Sequence, residues 1–350
     1  KRKYIMENNA ARFFYLIGSS IMVVWILFIG QSILLPIILG ILTVYILLTA
    51  SEAIAKWPMM NYFSKFLHRL VVLLIFVSIV ALISFMISNN IEYTLSQLPI
   101  YQTNLQIVVD NLAEGFGLSN APSLNKIIEN WWRGVDLQSF AFRAFGSISS
   151  VGSILFMTAL YAGFLLTEVN NFNAKISKAL GGDATQALKI ISKVNNRIGV
   201  YLTIKTIINI ILASISFLIM WVMGIDNAVF WAVMIGFLNY IPYVGSAIGV
   251  GFPVGLALAQ FGSLQWAILA LVLLMAVQTY VGNILEPKMI GKSVNLSSFV
   301  VLLALVFWTT IWGLPGAILS IPLTSVLVIL LAENQSTKPF AAMFTSDGDL

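Results

Sequence analysis

The chain has 350 residues, of which 59% are hydrophobic and only 9% charged, with a mean hydropathy of +0.93 and a net charge of +5. Soluble domains carry roughly 25% charged residues, so this composition excludes a water-soluble globular protein and reads as an all-α polytopic membrane protein. Zero cysteines and one histidine exclude disulfides, thiolate metal sites, a Cys nucleophile, a histidine-based metal site and a Ser–His dyad, and the positive balance calls for no nucleic acid because basic cytoplasmic loops account for it.

Apolar runs long enough for a bilayer core, about 30 Å or roughly 20 residues, occur at 13–30, 32–50, 70–88, 147–166, 198–223 and 264–283. The first exceeds the core of a signal peptide, about 7–15 residues, and is read as a span. Lys1, Arg2, Lys3 and Arg12 precede it; Lys56, Lys65 and Arg69 separate the second and third spans; Lys175, Lys178, Lys189, Lys193 and Arg197 follow the fourth. These loops alternate, which puts them and both termini in the cytoplasm. His68 falls in the second basic loop and is expected to be exposed there.

Residues 89–145 lie on the opposite side as an extracytoplasmic insert of two or three amphipathic helices. Leu105, Val109, Leu112 and Phe116 keep helical spacing, and Ile127, Ile128, Trp131 and Trp132 form an interfacial aromatic cluster. After the fourth span, Asp183 and Gln186 have the spacing of a capping box and open an amphipathic linker helix that carries Lys189, Lys193 and Arg197 as a basic stripe. Lys205, two turns further into the fifth span, is expected to snorkel to the cytoplasmic headgroups.

The second half is interrupted. Residues 228–241 and 247–260 are apolar arms of about 14 residues, roughly 21 Å of helix, both too short to cross. They meet at Asn239, Tyr240, Ile241, Pro242, Tyr243, Val244 and Gly245, a tip whose freed backbone groups must hide from lipid. Gly245, Gly249, Gly251 and Gly255 are expected to let the arms approach closely. The same shape returns at 297–310 and 318–331, joined through Trp312, Gly313, Leu314, Pro315 and Gly316. By charge the two units enter from opposite faces. The expected architecture is six full spans plus two re-entrant helical hairpins, an inverted repeat with its site where the broken elements meet; two pairs of short tilted spans are the rival arrangement.

Glu286 is the one carboxylate near the membrane in this half. With Thr279 and Asn283 it falls at i, i+4, i+7 on one helical face beside Pro287. A carboxylate there can carry a proton or bind a cation such as sodium; it can equally be an interfacial Glu paired with Lys288 or Lys292. Asn239, Tyr240 and Tyr243 can donate hydrogen bonds to a small polyhydroxylated or anionic solute, or equally can satisfy the broken backbone, with Pro242, Gly245, Gly313, Pro315 and Gly316 shaping the tips; Gln278 and Tyr280 are weaker candidates. No cofactor is expected, and the chain has no G-x-x-x-x-G-K-[ST] run, so ATP does not drive it directly. The chain thus divides into 1–88 (three spans), 89–145 (insert), 146–197 (fourth span and linker helix), 198–334 (transport core) and 335–350 (cytoplasmic tail).

The ordered set Ile241-Pro242-Tyr243-Val244-Gly245, Asn283 with Glu286-Pro287-Lys288-Met289-Ile290-Gly291, Gly313-Leu314-Pro315-Gly316 and Ile321-Pro322-Leu323, together with Leu35-Pro36 and the large insert, resembles the autoinducer-2 exporter family of membrane proteins over nearly the whole chain. The resemblance implies an oligomeric prokaryotic inner-membrane permease of about eight apolar segments. Its members are associated with export of the signal autoinducer-2 and some with sodium/proton antiport. The residues themselves are read as a secondary transporter working by alternating access rather than an enzyme. A passive oligomeric channel or a membrane scaffold is the alternative reading of the residues.

Overall fold

The computed structural model describes residues 2–55, 64–115, 117, 137–290 and 295–349, and among these there is no β-strand. The aromatic cluster at 127–132 and Lys292 lie outside the described residues. The helices are α1 (Arg2–Ile29), α2 (Gln31–Ala55), α3 (Lys65–Gly115), α4 (Leu137–Leu180), α5 (Ala184–Met223), α6 (Ala228–Leu238), α7 (Val244–Phe261), α8 (Leu264–Tyr280), α9 (Glu286–Ile290), α10 (Ser298–Ala332) and α11 (Lys338–Phe344). By length and apolarity, Gln31–Ser51, Ala184–Met223, Val244–Phe261, Leu264–Ile290 and Ser298–Ala332 can cross a membrane. Gly18–Ile29, Phe66–Ser78, Phe156–Glu168 and Ala228–Leu238 are shorter apolar helices. The protein is an all-helical multi-pass membrane protein.

Three helices run through the boundaries drawn on the sequence. The third span continues into the insert as the 51-residue α3, with Pro99 inside it. The fourth span lies within the 44-residue α4, and the linker helix and fifth span are one 40-residue helix, α5, which starts directly after a 3₁₀ turn ending at Asp183. Residues 84–93 and 193–198 contain neither the Gly nor the Pro that would interrupt the backbone ladder, and Gly146 inside α4 lowers helix propensity by only about 1 kcal/mol. His68 departs from expectation. It sits in the first turn of α3 and is only 5% exposed, because the helix starts at Lys65 and carries it inward.

Two apolar cores flank α5. Its membrane half, through Ile208, Leu212 and Met220, packs with Ala232 and Ile235 of α6, Val250 and Ala257 of α7, and Ala270 and Leu274 of α8. Its preceding stretch, through Ile198, Tyr201 and Leu202, packs with Leu35 and Leu42 of α2 and with Ala304, Trp308 and Trp312 of α10. A third cluster joins α2, α3 and α4 through Leu47, Val72 and Ala162.

Both broken elements fold back on themselves. In the first hairpin Trp231 of α6 stacks on Phe252 of α7, with ring centroids 5.6 Å apart. The reversal is tight: Val244 N–H donates to Pro242 O at 2.6 Å across Tyr243, whose φ of 60° and ψ of −55° make a γ-turn of the rare positive-φ kind. Because the turn completes the reversal in one residue, α7 begins at Val244 and reaches 18 residues, so the expectation that this arm is too short to cross is corrected. The 11-residue α6 is short, as expected. The close approach also involves fewer glycines than expected. Gly245 and Gly249 face α6, whereas a side chain at Gly251 or Gly255 would meet nothing within 4 Å.

In the second hairpin, Gly313 has φ 61° and ψ −142° inside α10. Trp308 Nε1 donates to Thr324 Oγ1 at 3.0 Å, although 16 residues of straight helix would separate them by roughly 24 Å. The chain therefore turns back at Gly313 into arms 298–312 and 314–332.

The C-terminal half of α3 holds the two ends of the first hairpin opposite its tip. Tyr101 donates to Asp226 Oδ2 at 2.9 Å, and Asn104 Nδ2 donates to the carbonyls of Ala259 at 3.0 Å and Gln260 at 2.7 Å. Burial first, then the hydrogen-bonded Asp226 carboxylate, push the Tyr101 hydroxyl above its ordinary range. Asn104→Ala is expected to cost about 1–3 kcal/mol, since two carbonyls lose their donor; a lower melting temperature with faster hydrogen exchange at the end of α7 is the measurement. At the other end, Ser297 N–H donates to Phe344 O at 3.0 Å, which returns the tail to the root of the second hairpin.

Candidate functional site

The site begins as a polar stripe on an apolar helix. Tyr201, Lys205 and Asn209 recur every fourth residue along α5 and therefore share one face, and they are 3%, 5% and 4% exposed. Buried polar groups of this kind need partners, and the partners come from the tip of the first hairpin and from the end of α8.

Lys205 Nζ lies 2.6 Å from Glu286 Oε1. The ammonium thus does not snorkel to the headgroups: a carboxylate 81 positions later in sequence neutralises it inside the protein. Among the described residues Lys205 is the base that Glu286 pairs with, while Lys288 is exposed. The reason lies in the backbone. Beyond Tyr280 the helix widens into a π-helical turn, Val281–Leu285, and Glu286 N–H bonds back to Val281 O, five residues earlier. The extra residue rotates the downstream turn relative to an ordinary helical face. Thr279 and Asn283 consequently stay toward the outside while Glu286 faces Lys205, so the face read from the sequence is split.

At the tip, Asn239 is 7% exposed. Its Nδ2 donates to Asn209 Oδ1 at 2.8 Å, and its Oδ1 accepts from Gln278 Nε2 at 2.9 Å. Tyr240 and Thr206 hydroxyls are 2.7 Å apart, and Thr206 Oγ1 donates to Leu202 O at 2.7 Å. Two of the three polar tip side chains thus turn inward to α5. Tyr243 points outward and is 57% exposed, and Tyr280 is 53% exposed.

The remaining tip residues set the joints. A Cβ at Gly245 would fall 1.8 Å from Leu238 O, and one at Gly316 would fall 2.0 Å from Trp308 O, so each hairpin closes by the same backbone approach. Leu238 and Ile241 of the first tip pack with Leu305, Ala317 and Ile318 of the second hairpin. The tips do meet, but through apolar groups. Near Gly313, Pro315 and Gly316 the second tip leans the other way, with Trp312 Nε1 donating to Leu27 O of α1 at 2.9 Å. The polar network belongs to α5, the first tip and the α8–α9 junction.

Thr206 and Asn209 carry no role in the reading of the sequence, and Lys205 has a different one. A signal for them exists in the sequence: a lysine and an asparagine four residues apart inside an apolar span are costly unless they serve a site. Among the described residues no three His, Asp or Glu side chains gather to hold a metal ion.

The family described as AI-2E family transporter matches residues 16–335. The chain is 28% identical to a Haemophilus influenzae protein named as a candidate transport protein, over 97% of this chain and 98% of that one. It is 23% identical to the AI-2 transport protein TqsA of Escherichia coli, over 98% of each. A Borreliella burgdorferi protein, also named as a candidate transport protein, is 29% identical over 75% of this chain and 71% of its own length.

Proposed function

Since the chain belongs to the AI-2E family of transporters, we propose that it is a secondary transporter that moves a small solute across the bacterial cytoplasmic membrane by alternating access. The cargo in this reading is an autoinducer-2-like signal molecule, after the name of the Escherichia coli relative. The observation that carries it is the buried network at the first tip, where Asn239 and Tyr240 join Asn209, Thr206 and Gln278. A tip needs only Pro and Gly to turn; five converging polar side chains supply hydrogen-bonding capacity beyond that need.

The Lys205–Glu286 pair sits on the same face of α5, one turn away from Asn209. In this reading it carries the coupling, with a proton or a sodium ion competing for Glu286 as the lysine is released. The hairpins in this reading are re-entrant, since the 11-residue α6 is too short to cross even though α7 is long enough; the assembly is a homo-oligomer, and both termini face the cytoplasm, an orientation supported by the basic loops.

Asn239→Ala is expected to lower autoinducer-2 flux in proteoliposomes on the order of tenfold or more, because its neighbours Asn209 and Gln278 lose their shared partner. Flux equal to wild type would remove the tip from the transport path. Flux that rises with concentration without saturating would replace the carrier by a passive channel.

A further inference from the structure

The hydrogen bonds at the first tip form two runs. In one, Leu202 O can only accept, so the Thr206 hydroxyl spends its proton there, and Tyr240 must then donate to Thr206 Oγ1. In the other, Asn209 Oδ1 accepts from Asn239 Nδ2, and Asn239 Oδ1 accepts from Gln278 Nε2. The second run ends at Gln278 Oε1, a buried acceptor that receives no hydrogen bond among the described residues. Donors aligned in sequence polarise one another, which strengthens the negative end.

We propose that Gln278 is the specificity-determining residue of this site: its carbonyl oxygen accepts a hydrogen bond from a donor group of the cargo and disfavours groups that can only accept. This rests on the transport reading above and deepens it. Gln278 Oε1 is covered in this conformation, so the cargo reaches it when the tip parts from α5, and a hydroxyl then satisfies it. A carboxylate or phosphate in the same place would set acceptor against acceptor in a poorly hydrated setting, which is costly.

The test uses the full-length protein in proteoliposomes, autoinducer-2 as the probe, and the variants Gln278→Met and Gln278→Glu. Gln278→Met keeps the volume and removes the acceptor together with the Nε2 donor to Asn239, which is why Gln278→Glu is tested beside it. Gln278→Met is expected to raise KM about tenfold while kcat stays within about twofold, the behaviour of an interaction lost in binding. Gln278→Glu is assayed from about pH 5 to pH 8, a range that brackets a carboxyl whose pKa burial has raised. Its protonated carboxyl reproduces both the donor toward Asn239 and the free acceptor, so KM should approach wild type at the acid end and rise toward the alkaline end. A wild-type KM in Gln278→Met overturns the proposal. So does a Gln278→Glu variant whose KM has no pH dependence beyond that of wild type, a result that decides the matter even if Gln278→Met fails to fold. Absence of saturable uptake by the wild type itself overturns the transport reading for this cargo and the role of Gln278 with it.

Discussion

Gly245→Ala is expected to destabilise the protein by about 3 kcal/mol or more, at the upper end of overpacking effects. The added methyl would stand 1.8 Å from Leu238 O and 2.6 Å from Leu238 C, both backbone atoms that no rotamer change can move. Relief requires parting α6 from α7, and that pulls Asn239 and Tyr240 off α5. Gly316→Ala should behave alike, since its Cβ would meet Trp308 O at 2.0 Å. Gly251→Ala and Gly255→Ala on the open face of α7 are the controls, expected to be neutral or slightly stabilising because they reduce the freedom of the unfolded chain. Thermal melting of the four purified variants checks the set. A Gly245→Ala variant as stable as Gly251→Ala would mean that the hairpin does not close as described.

Glu286→Gln should cost about 3–5 kcal/mol, the usual penalty for leaving one member of a buried ion pair without its partner. Lys205 is the more deeply buried of the two, with its side chain 6% accessible against 23% for Glu286, so the stranded ammonium has little water to turn to. Removing both charges with Lys205→Met and Glu286→Gln should restore most of the stability, because two apolar or neutral groups need no counter-charge. The double variant separates stability from coupling. If Glu286 carries the coupling ion, the restored protein still lacks proton-linked sodium flux in proteoliposomes; unchanged flux in either variant would end the antiport assignment.

The two interruptions were legible from Pro and Gly alone. Pro242 with Gly245 and Gly313 with Pro315 and Gly316 mark both reversals, and the order of motifs around them identifies the family. The ion pair was not legible in the same way, since nothing local to Lys205 names a partner 81 residues away. Glu286 could be picked out because carboxylates are scarce there, yet its direction could not. A π-helical turn leaves no compositional mark, and an i, i+4, i+7 count applied across residues 281–285 assigns Thr279 and Asn283 to the wrong side. Helix continuity was missed for a related reason: a hydropathy profile falls where a helix leaves the membrane even when the helix itself goes on, as α3, α4 and α5 do.

That continuity gives the protein a tie rod. The 51 residues of α3 come to roughly 77 Å, well beyond the thickness of a bilayer with its headgroups, about 40–45 Å. Pro99 is the one place in it where the ladder lacks a donor. Before Pro99, Val72 anchors the rod among Leu47 of α2 and Ala162 of α4; after it, Tyr101 and Asn104 grip Asp226 and the end of α7. One helix thus fastens the first three spans to the far end of the first hairpin, a joint that the order of the chain conceals.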